Sequence, residues 1–405
     1  MKKSRVVLAA PLALPLILAA ACSNGEGVGA PDAGNDAAPQ SLLDPPPAGQ
    51  GFQVGMSTSV PAGMETFRCM YAVVPAGPTS DFQRFQTRYT ANSHHMIVYT
   101  TDLTPQTIPK AGVFDCNTVG DLHFTGSMFG SQSAARDLTY PDGVAFHLTG
   151  QVVLLQAHYI NTTDAATDAQ VLVDAWYATT PPTQRASGFG FYDYTIIVPP
   201  TPDAAHPGTA TVHMRVTIPK DMSILSWQSH AHRRLTHFHS ELSGGGAAKP
   251  VTLYDTDQWD APDPILNDPP RLVKAGQVID YSCTYKNDRP TVTVQGPSAL
   301  DNEMCMLIGN YYPALDPIFE IGMGAGSGPV YAGTKTCAQA LSCMAGAPDQ
   351  SGQEQCMVQT CPGPANDKLN EVVRCSFVNC AAGDQACLLS KCSTELSACQ
   401  AAACM

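Results

Sequence analysis

The sequence predicts a mainly β protein that ends in a small helical, disulfide-rich module, and three observations predict it. From residue 51 to about 330, short runs rich in Val, Ile, Thr and Tyr are separated by clusters of Pro, Gly and Asp, the pattern of strands joined by turns. Long apolar stretches with the 3.6-residue period of an amphipathic helix are missing from that region. Ten of the 15 cysteines fall between Cys337 and Cys404, among good helix formers.

The β region divides in two. Met96–Thr101, Gln151–Ile160 and Val171–Tyr177 read as strands before the Thr- and Pro-rich stretch 179–183. Tyr194–Val198, Thr211–Ile218, Ile224–His232, Gln277–Thr284 and Thr291–Val294 read as strands after it. Many short strands with regular turns point to sandwiches or jelly rolls, so residues 51–182 and 183–330 are expected to be two β domains of similar length.

The N-terminus reads as an export signal over residues 1–22. Lys2, Lys3 and Arg5 precede an apolar run, Val6–Leu18, and small residues lead to Cys22, as in a secretory signal with a small-residue cleavage site. The segment also resembles a bacterial lipoprotein signal, in which the cysteine after the cut carries lipid. It departs from that pattern at Ala19, where the signal usually has Leu. Setting Cys22 aside leaves 14 cysteines, an even number that can all pair. With Ser23 next to Cys22, the expected location is the cell envelope, at the outer membrane or cell surface, with the lipid as the link to the membrane. Residues 23–50 are rich in Gly, Ala, Pro and Asp, too poor in large apolar residues to build a core, and read as a flexible tether.

Cleavage after Ala21 would remove three of the 22 Lys and Arg and none of the 35 Asp and Glu, leaving 19 against 35 and a net charge of −16. That balance argues against nucleic acid as a partner. Export suits a disulfide-rich chain, and the absence of any C-x2-C pair argues against a zinc ribbon.

Residues 331–405 form the cysteine-rich module. C-x4-C recurs at 356/361, 375/380, 387/392 and 399/404. Residues five apart on an α-helix differ by about 140° in direction and about 8 Å in position, beyond the roughly 7 Å that a disulfide spans. Each cysteine must therefore reach a neighbouring helix, and the simplest nested hairpin pairs Cys337 with Cys361 and Cys343 with Cys356. The module reads as a stable cap or a docking surface for a protein partner.

Three stretches of the β region carry metal-type ligands: Ser93-His94-His95-Met96, Gln156-Ala157-His158-Tyr159, and His230-Ala231-His232 with Glu303-Met304-Cys305 further on. Residues two apart on a strand share a face, so Ser226, Gln228, His230 and His232 line one side and the two imidazoles can meet one ion. His94 and His95 would point to opposite faces of a regular strand, so joint ligation requires a bulge or bend there. Imidazole suits copper, zinc or iron, and a thioether selects Cu(I). His237 and His239 form a second His-x-His, while His123, His147, His206 and His213 stand in no such pattern.

Taken in this order, with Gly276-Gln277-Val278, Ser282-Cys283-Thr284-Tyr285, Asn302-Glu303-Met304-Cys305 and Asn310-Tyr311-Tyr312-Pro313, residues 51–325 resemble the copper type II, ascorbate-dependent monooxygenases. That family includes dopamine β-monooxygenase and the peptidylglycine α-hydroxylating enzyme. The resemblance implies two jelly rolls, each holding one copper ion across a solvent-filled cleft. It implies His94, His95 and His158 as ligands of an electron-transfer copper, and His230, His232 and Met304 as ligands of an oxygen-activating copper. Gln156 also matches and joins His230, His232 and Met304 in the catalytic set. Disulfides Cys69–Cys116 and Cys283–Cys305 are implied too, with O2 and an ascorbate-like electron donor as cosubstrates. Three further disulfides of the peptide enzyme have no counterpart, and the family leaves the tail cysteines unexplained.

At the substrate carboxylate clamp of the peptide enzyme, this chain has Gln228 for an Arg and Met306 and Ile308 for an Asn and a Tyr. Arg holds a carboxylate with charge and a bidentate fork, which Gln cannot supply. A small apolar or aromatic substrate is the expectation. Two other classes stay open: a non-catalytic copper-binding or copper-storage lipoprotein, and a surface interaction protein working through its tail.

Overall fold

The computed structural model describes residues 41–116, 122–246, 249–381 and 383–404. The expected signal, Cys22 and the tether up to residue 40 lie outside them. Residues 41–50 lead into the first strand without regular structure, and Pro46 is buried.

Ten strands come first: β1 (Gly51–Val60), β2 (Glu65–Val73), β3 (Asp81–Tyr89), β4 (Ser93–Thr100), β5 (Val113–Asp115), β6 (Gly126–Ser131), β7 (Ala135–Thr139), β8 (Val144–His147), β9 (Val152–Ile160) and β10 (Thr167–Tyr177). One sheet has the order β5-β2-β9-β4-β6 and faces β1-β10-β3-β8. Between them lie Phe52, Phe85, Val98, Phe129, Leu155 and Val173. Period-2 alternation accounts for most strands; in β4 it buries His94, Met96, Val98 and Thr100. β9 is buried along nearly its whole length, because Val153, Leu155 and Ala157 face that core while Val152 and Leu154 join a smaller apolar cluster around the Cys69–Cys116 disulfide.

The next strands are β11 (Gln184–Tyr192), β12 (Ile197–Val198), β13 (Thr209–Thr217), β14 (Met222–Ala231), β15 (Leu235–Ser243), β16 (Val251–Thr256), β17 (Ile265–Val273), β18 (Val278–Lys286), β19 (Thr293–Val294) and β20 (Cys305–Tyr312), followed by a short helix α1 (Pro317–Glu320) and β21 (Gly328–Val330). A sheet β16-β15-β18-β13-β21 faces β11-β20-β14-β17. Phe191, Trp227, Phe238, Tyr281, Leu307 and Phe319 fill the space between. Residues 179–183 are the connection between β10 and β11. The two halves share a sheet: Gln184–Ala186 of β11 pair in parallel with Val144–Phe146 of β8.

Five helices form the tail: α2 (Cys337–Gly346), α3 (Gln350–Met357), α4 (Pro364–Asn379), α5 (Gln385–Lys391) and α6 (Ser393–Ala401). Among the described residues, no helix is long and apolar enough to cross a membrane. None of the four C-x4-C pairs bridges to itself: the tail disulfides are Cys337–Cys399, Cys343–Cys356, Cys361–Cys404, Cys375–Cys392 and Cys380–Cys387. The expected Cys337–Cys361 pair is therefore corrected. A nested hairpin assumes that only sequence neighbours meet, but α6 returns to the start of the module, so Cys399 reaches Cys337 and Cys404 reaches Cys361. The module is fastened to the second sandwich through β21, which pairs with β13. Asn366 and Asn370 both donate to the Pro329 carbonyl, at 3.0 and 2.9 Å.

Candidate metal centre

A register irregularity between Ser93 and His95 interrupts the β4–β9 ladder, so His94 is the extra residue and His95 sits directly across from His158. Asn92, just before it, takes a left-handed conformation at φ 67°. This bulge is what lets adjacent histidines turn toward one point: the His94 and His95 rings lie 5.4 Å apart and 5.2 and 5.1 Å from His158.

β14 delivers the second set. His230 and His232 share a face, with ring centroids 5.5 Å apart. Gln228 pairs with Ile308, His230 with Met306 and Ala231 with Cys305, so the ladder puts Met304 at the next step, beside His232. Met304 is half-buried, and its carbonyl accepts from the Tyr285 hydroxyl at 2.6 Å. The Cys283–Cys305 disulfide holds the adjoining backbone. Neighbouring Glu303 is buried under Arg234; burial pushes its carboxyl up to about 7 against the pull of that cation.

The two sets do not stand apart across a cleft. His94 lies 5.4 Å from His230 and 6.0 Å from His232, and His95 lies 5.0 Å from His230. Ligand nitrogens of His94, His230 and His232 all fall within 4.8 Å of one another. The expected separation gives way to a single five-histidine cluster, because the shared sheet and the contacts below press the sandwiches together.

Polar partners fix the rings. Nε2 of His158 donates to Glu65 at 2.7 Å, Nδ1 of His230 meets the Gln132 amide oxygen at 2.6 Å, and Nδ1 of His232 meets the Asn302 carbonyl at 3.2 Å. Phe67 stacks on His158 at 3.9 Å. Burial, then the neighbouring imidazoles, hold His94, His95 and His232 well below the usual histidine range and His230 at about 3. Burial also lowers His158 despite Glu65. Burial alone would raise Glu65, but hydrogen bonds from His158, Ser298 and Ala299 hold it at about 2. The pair is thus a neutral imidazole donating to an ionised carboxylate.

Among the described residues, this leaves four ring nitrogens of the cluster buried without a hydrogen-bond partner: His94 Nε2, His95 Nδ1, His158 Nδ1 and His232 Nε2. Buried polar atoms are nearly always satisfied. Neutral imidazoles with orphaned nitrogens, the other nitrogens of His158 and His232 held by a carboxylate and a carbonyl and the neighbouring His230 held by an amide, are the donor set and surrounding support of a metal site.

The loop at residues 257–264 covers the cluster. Trp259 packs on His94 at 5.6 Å. The Trp259 carbonyl accepts from Gln132 at 2.5 Å, and the Pro262 carbonyl accepts from Gln228 at 2.6 Å and Ser133 at 3.3 Å. Gln228 is fully buried. Beside it, Met306 and Ile308 lie over Gly190, where an added Cβ would come within 3.2 Å of Met306. Gln156 shares the face of His158, but its hydrogen bonds go to the Tyr99 hydroxyl and the Cys116 sulfur.

Residues 189–321 match the family model of the copper type II ascorbate-dependent monooxygenase C-terminal domain. The match supports that family for this chain and a copper-dependent monooxygenase domain within it; it spans β14 and β20 and therefore His230, His232 and Met304. No curated protein matches the chain. Among solved structures, the major capsid protein P2 of bacteriophage PM2 is similar with a TM-score of 0.29 and 8% identity, over 65% of this chain and 99% of that one. The PBSX exported protein XepA gives 0.16 and 7%, over 57% and 86%, and vicilin from tomato, Solanum lycopersicum, 0.17 and 8%, over 72% and 82%. At those scores the likenesses carry no argument.

Glu65, Gln132 and Trp259 escape a reading of the sequence, since each stands outside any motif; Asn302 lies in the stretch that ends at Cys305, but it acts through its backbone carbonyl, which no residue pattern reports. Arg136 on β7 escapes it as well, a buried cation with no carboxylate partner among the described residues. It donates to the Gly130 carbonyl, Ser226 Oγ and Asn310 Oδ1 at 2.6, 2.9 and 3.1 Å, bridging the sandwiches. Burial pushes its guanidinium down to about 10, still charged at neutral pH. Arg136→Met is expected to lower stability by about 2–4 kcal/mol, because it removes three hydrogen bonds from a charged donor in a dry seam. Denaturant unfolding checks this, and a loss below about 0.5 kcal/mol, the size of an ordinary surface substitution, would contradict it.

Proposed function

We propose that this protein is a copper monooxygenase that hydroxylates an activated C–H bond of a small apolar or aromatic substrate, with two jelly-roll halves closed on a pair of copper ions. The observation that carries the reading is the convergence of five imidazoles, those of His94, His158, His230 and His232 buried and that of His95 partly so, four of the five with an orphaned nitrogen, at the edge of the matched domain. His94, His95 and His158 would hold one ion, and His230, His232 and Met304 the other; six donors exceed what one tetrahedral ion takes. Bound copper supplies the one-electron redox chemistry and affinity for O2 that side chains lack. The balance is that O2, two electrons and two protons convert C–H to C–OH and release water, the electrons coming from an ascorbate-like donor.

The chain's own residues do the rest. Glu65, Gln132 and the Asn302 carbonyl keep the imidazoles in one tautomer and orientation. The 257–264 loop excludes water. Met306 and Ile308 offer an apolar surface, and Gln228, with its amide committed to Pro262 and Ser133, provides no cation for a carboxylate. Gln156 accepts from the Tyr99 hydroxyl and lies beside the Cys69–Cys116 disulfide, so its place in the catalytic set rests on the family resemblance and on its sharing a face with His158. Export with lipid on Cys22, and anchoring to the cell envelope, complete the proposal.

The test is oxygen consumption by copper-loaded protein with ascorbate. Phenethylamine-like compounds should accelerate it and be hydroxylated, with two copper ions per chain, while a glycine-extended peptide should not be turned over. Tight copper binding without substrate-dependent uptake would instead mark a storage protein, and preferred turnover of the peptide would overturn the substrate class.

A further inference from the structure

A second metal-type cluster lies outside the buried centre. On β15, alternation turns His237, His239 and Glu241 outward, and Asp255 of the edge strand β16 is the direct partner of His239. One carboxylate oxygen of Asp255 lies 2.7 Å from His239 Nδ1 and 3.6 Å from His237 Nε2. Asp257 approaches His237 Nδ1 at 2.7 Å, and Glu241 lies 3.8 Å from His239 Nε2. One ligand atom from each of His237, His239 and Asp255 falls within 4.8 Å of the others.

We propose that His237, His239 and Asp255, with Asp257 holding the other ring nitrogen of His237, form a surface site for a divalent ion of the Zn2+ or Cu2+ class, separate from the five-histidine cluster. Bonds of about 2.0–2.2 Å in a tetrahedral site set donor–donor separations near 3.4 Å, so the two spacings to the Asp255 oxygen change by less than 1 Å when an ion is bound. Three acids surround the two imidazoles, and neither β15 nor β16 carries a lysine or an arginine; a divalent cation balances that charge. Imidazole and carboxylate without a thioether favour Zn2+ or Cu2+ over Cu(I), which sets this site's chemistry apart from one containing Met304. The ion would also tie the edge strand β16 to β15. This inference stands whether or not the buried centre turns over substrate.

Equilibrium dialysis of the full chain against Zn2+, and separately Cu2+, tests it. Wild type and a His230→Ala/His232→Ala variant should both hold an ion that His237→Ala/His239→Ala loses, and Asp255→Asn alone should weaken it at least tenfold. Zn2+ should raise the thermal midpoint of wild type, and the part of that rise due to this site should vanish in His237→Ala/His239→Ala, whose metal-free midpoint stays unchanged. Equal stoichiometry and affinity in wild type and His237→Ala/His239→Ala, for both metals, would overturn the site.

Discussion

Met304→Leu should cut substrate hydroxylation at least 100-fold, about 2.7 kcal/mol of barrier, while leaving the fold and the oxidised-copper content close to wild type. Leucine keeps the volume and apolar character of the side chain, so packing changes little. It removes the thioether that the β14–β20 register, continued one step past Ala231–Cys305, sets across from His232, while Met306 stays across from His230. Sulfur is a soft donor and Cu(I) the softer ion, so the loss falls on the reduced state, the one that meets O2. X-ray absorption of reduced protein should show a copper–sulfur contribution in wild type and none in the variant. His230→Ala or His232→Ala should instead deplete copper itself, since imidazole binds both oxidation states. A copper–sulfur signal that survives Met304→Leu, or undiminished turnover, would make Met304 a packing residue.

The second large effect is on stability in acid. In the unfolded chain an imidazole titrates near 6.5, whereas burial holds folded His230 at about 3. Above pH 6.5 neither state takes the proton, and His230 adds no pH dependence. Below it the unfolded chain binds a proton that the folded protein refuses, so stability falls as pH falls toward 3. The slope approaches about 1.4 kcal/mol per pH unit for each such group. Glu303, at about 7, and Asp174 and Asp193, at about 6, act in the opposite sense, because burial raises them. The histidine contribution is therefore isolated by difference. Metal-free wild type should lose up to about 2.7 kcal/mol more than His230→Gln between pH 6.5 and 4.5. Denaturant unfolding of both proteins at several pH values provides the comparison, and parallel stability curves would refute it.

Much of the centre is legible in the chain because strand geometry is local. Alternation alone puts Gln228, His230 and His232 on one face. The same rule forbids His94 and His95 from sharing a face, and so demands the bulge found at His94. Outer-shell partners follow no such rule: Glu65 and Gln132 are single polar residues 93 and 98 positions from the histidines they hold. Nor does local pattern report that the two ligand sets merge, since that depends on the parallel β8–β11 pair joining the sheets. The tail shows the same division. Helical geometry rules out bridges within each C-x4-C, but the return of α6 to α2 is a tertiary fact, and the pairing of Cys337 with it.

Glu65 gives the seam a further property. With one carboxylate it accepts from His158 in its own sandwich and from Ser298 and the Ala299 backbone in the other, both at 2.5 Å. An ion taken up on Nδ1 of His158 would draw electron density from the ring, make its Nε2–H a stronger donor, and tighten the carboxylate that clasps Ser298. Reciprocity then follows from linkage: if ion uptake favours the closed seam by some factor, closing the seam favours ion uptake by the same factor. Docking of the two halves and retention of the ion are, through this side chain, one equilibrium read from two ends.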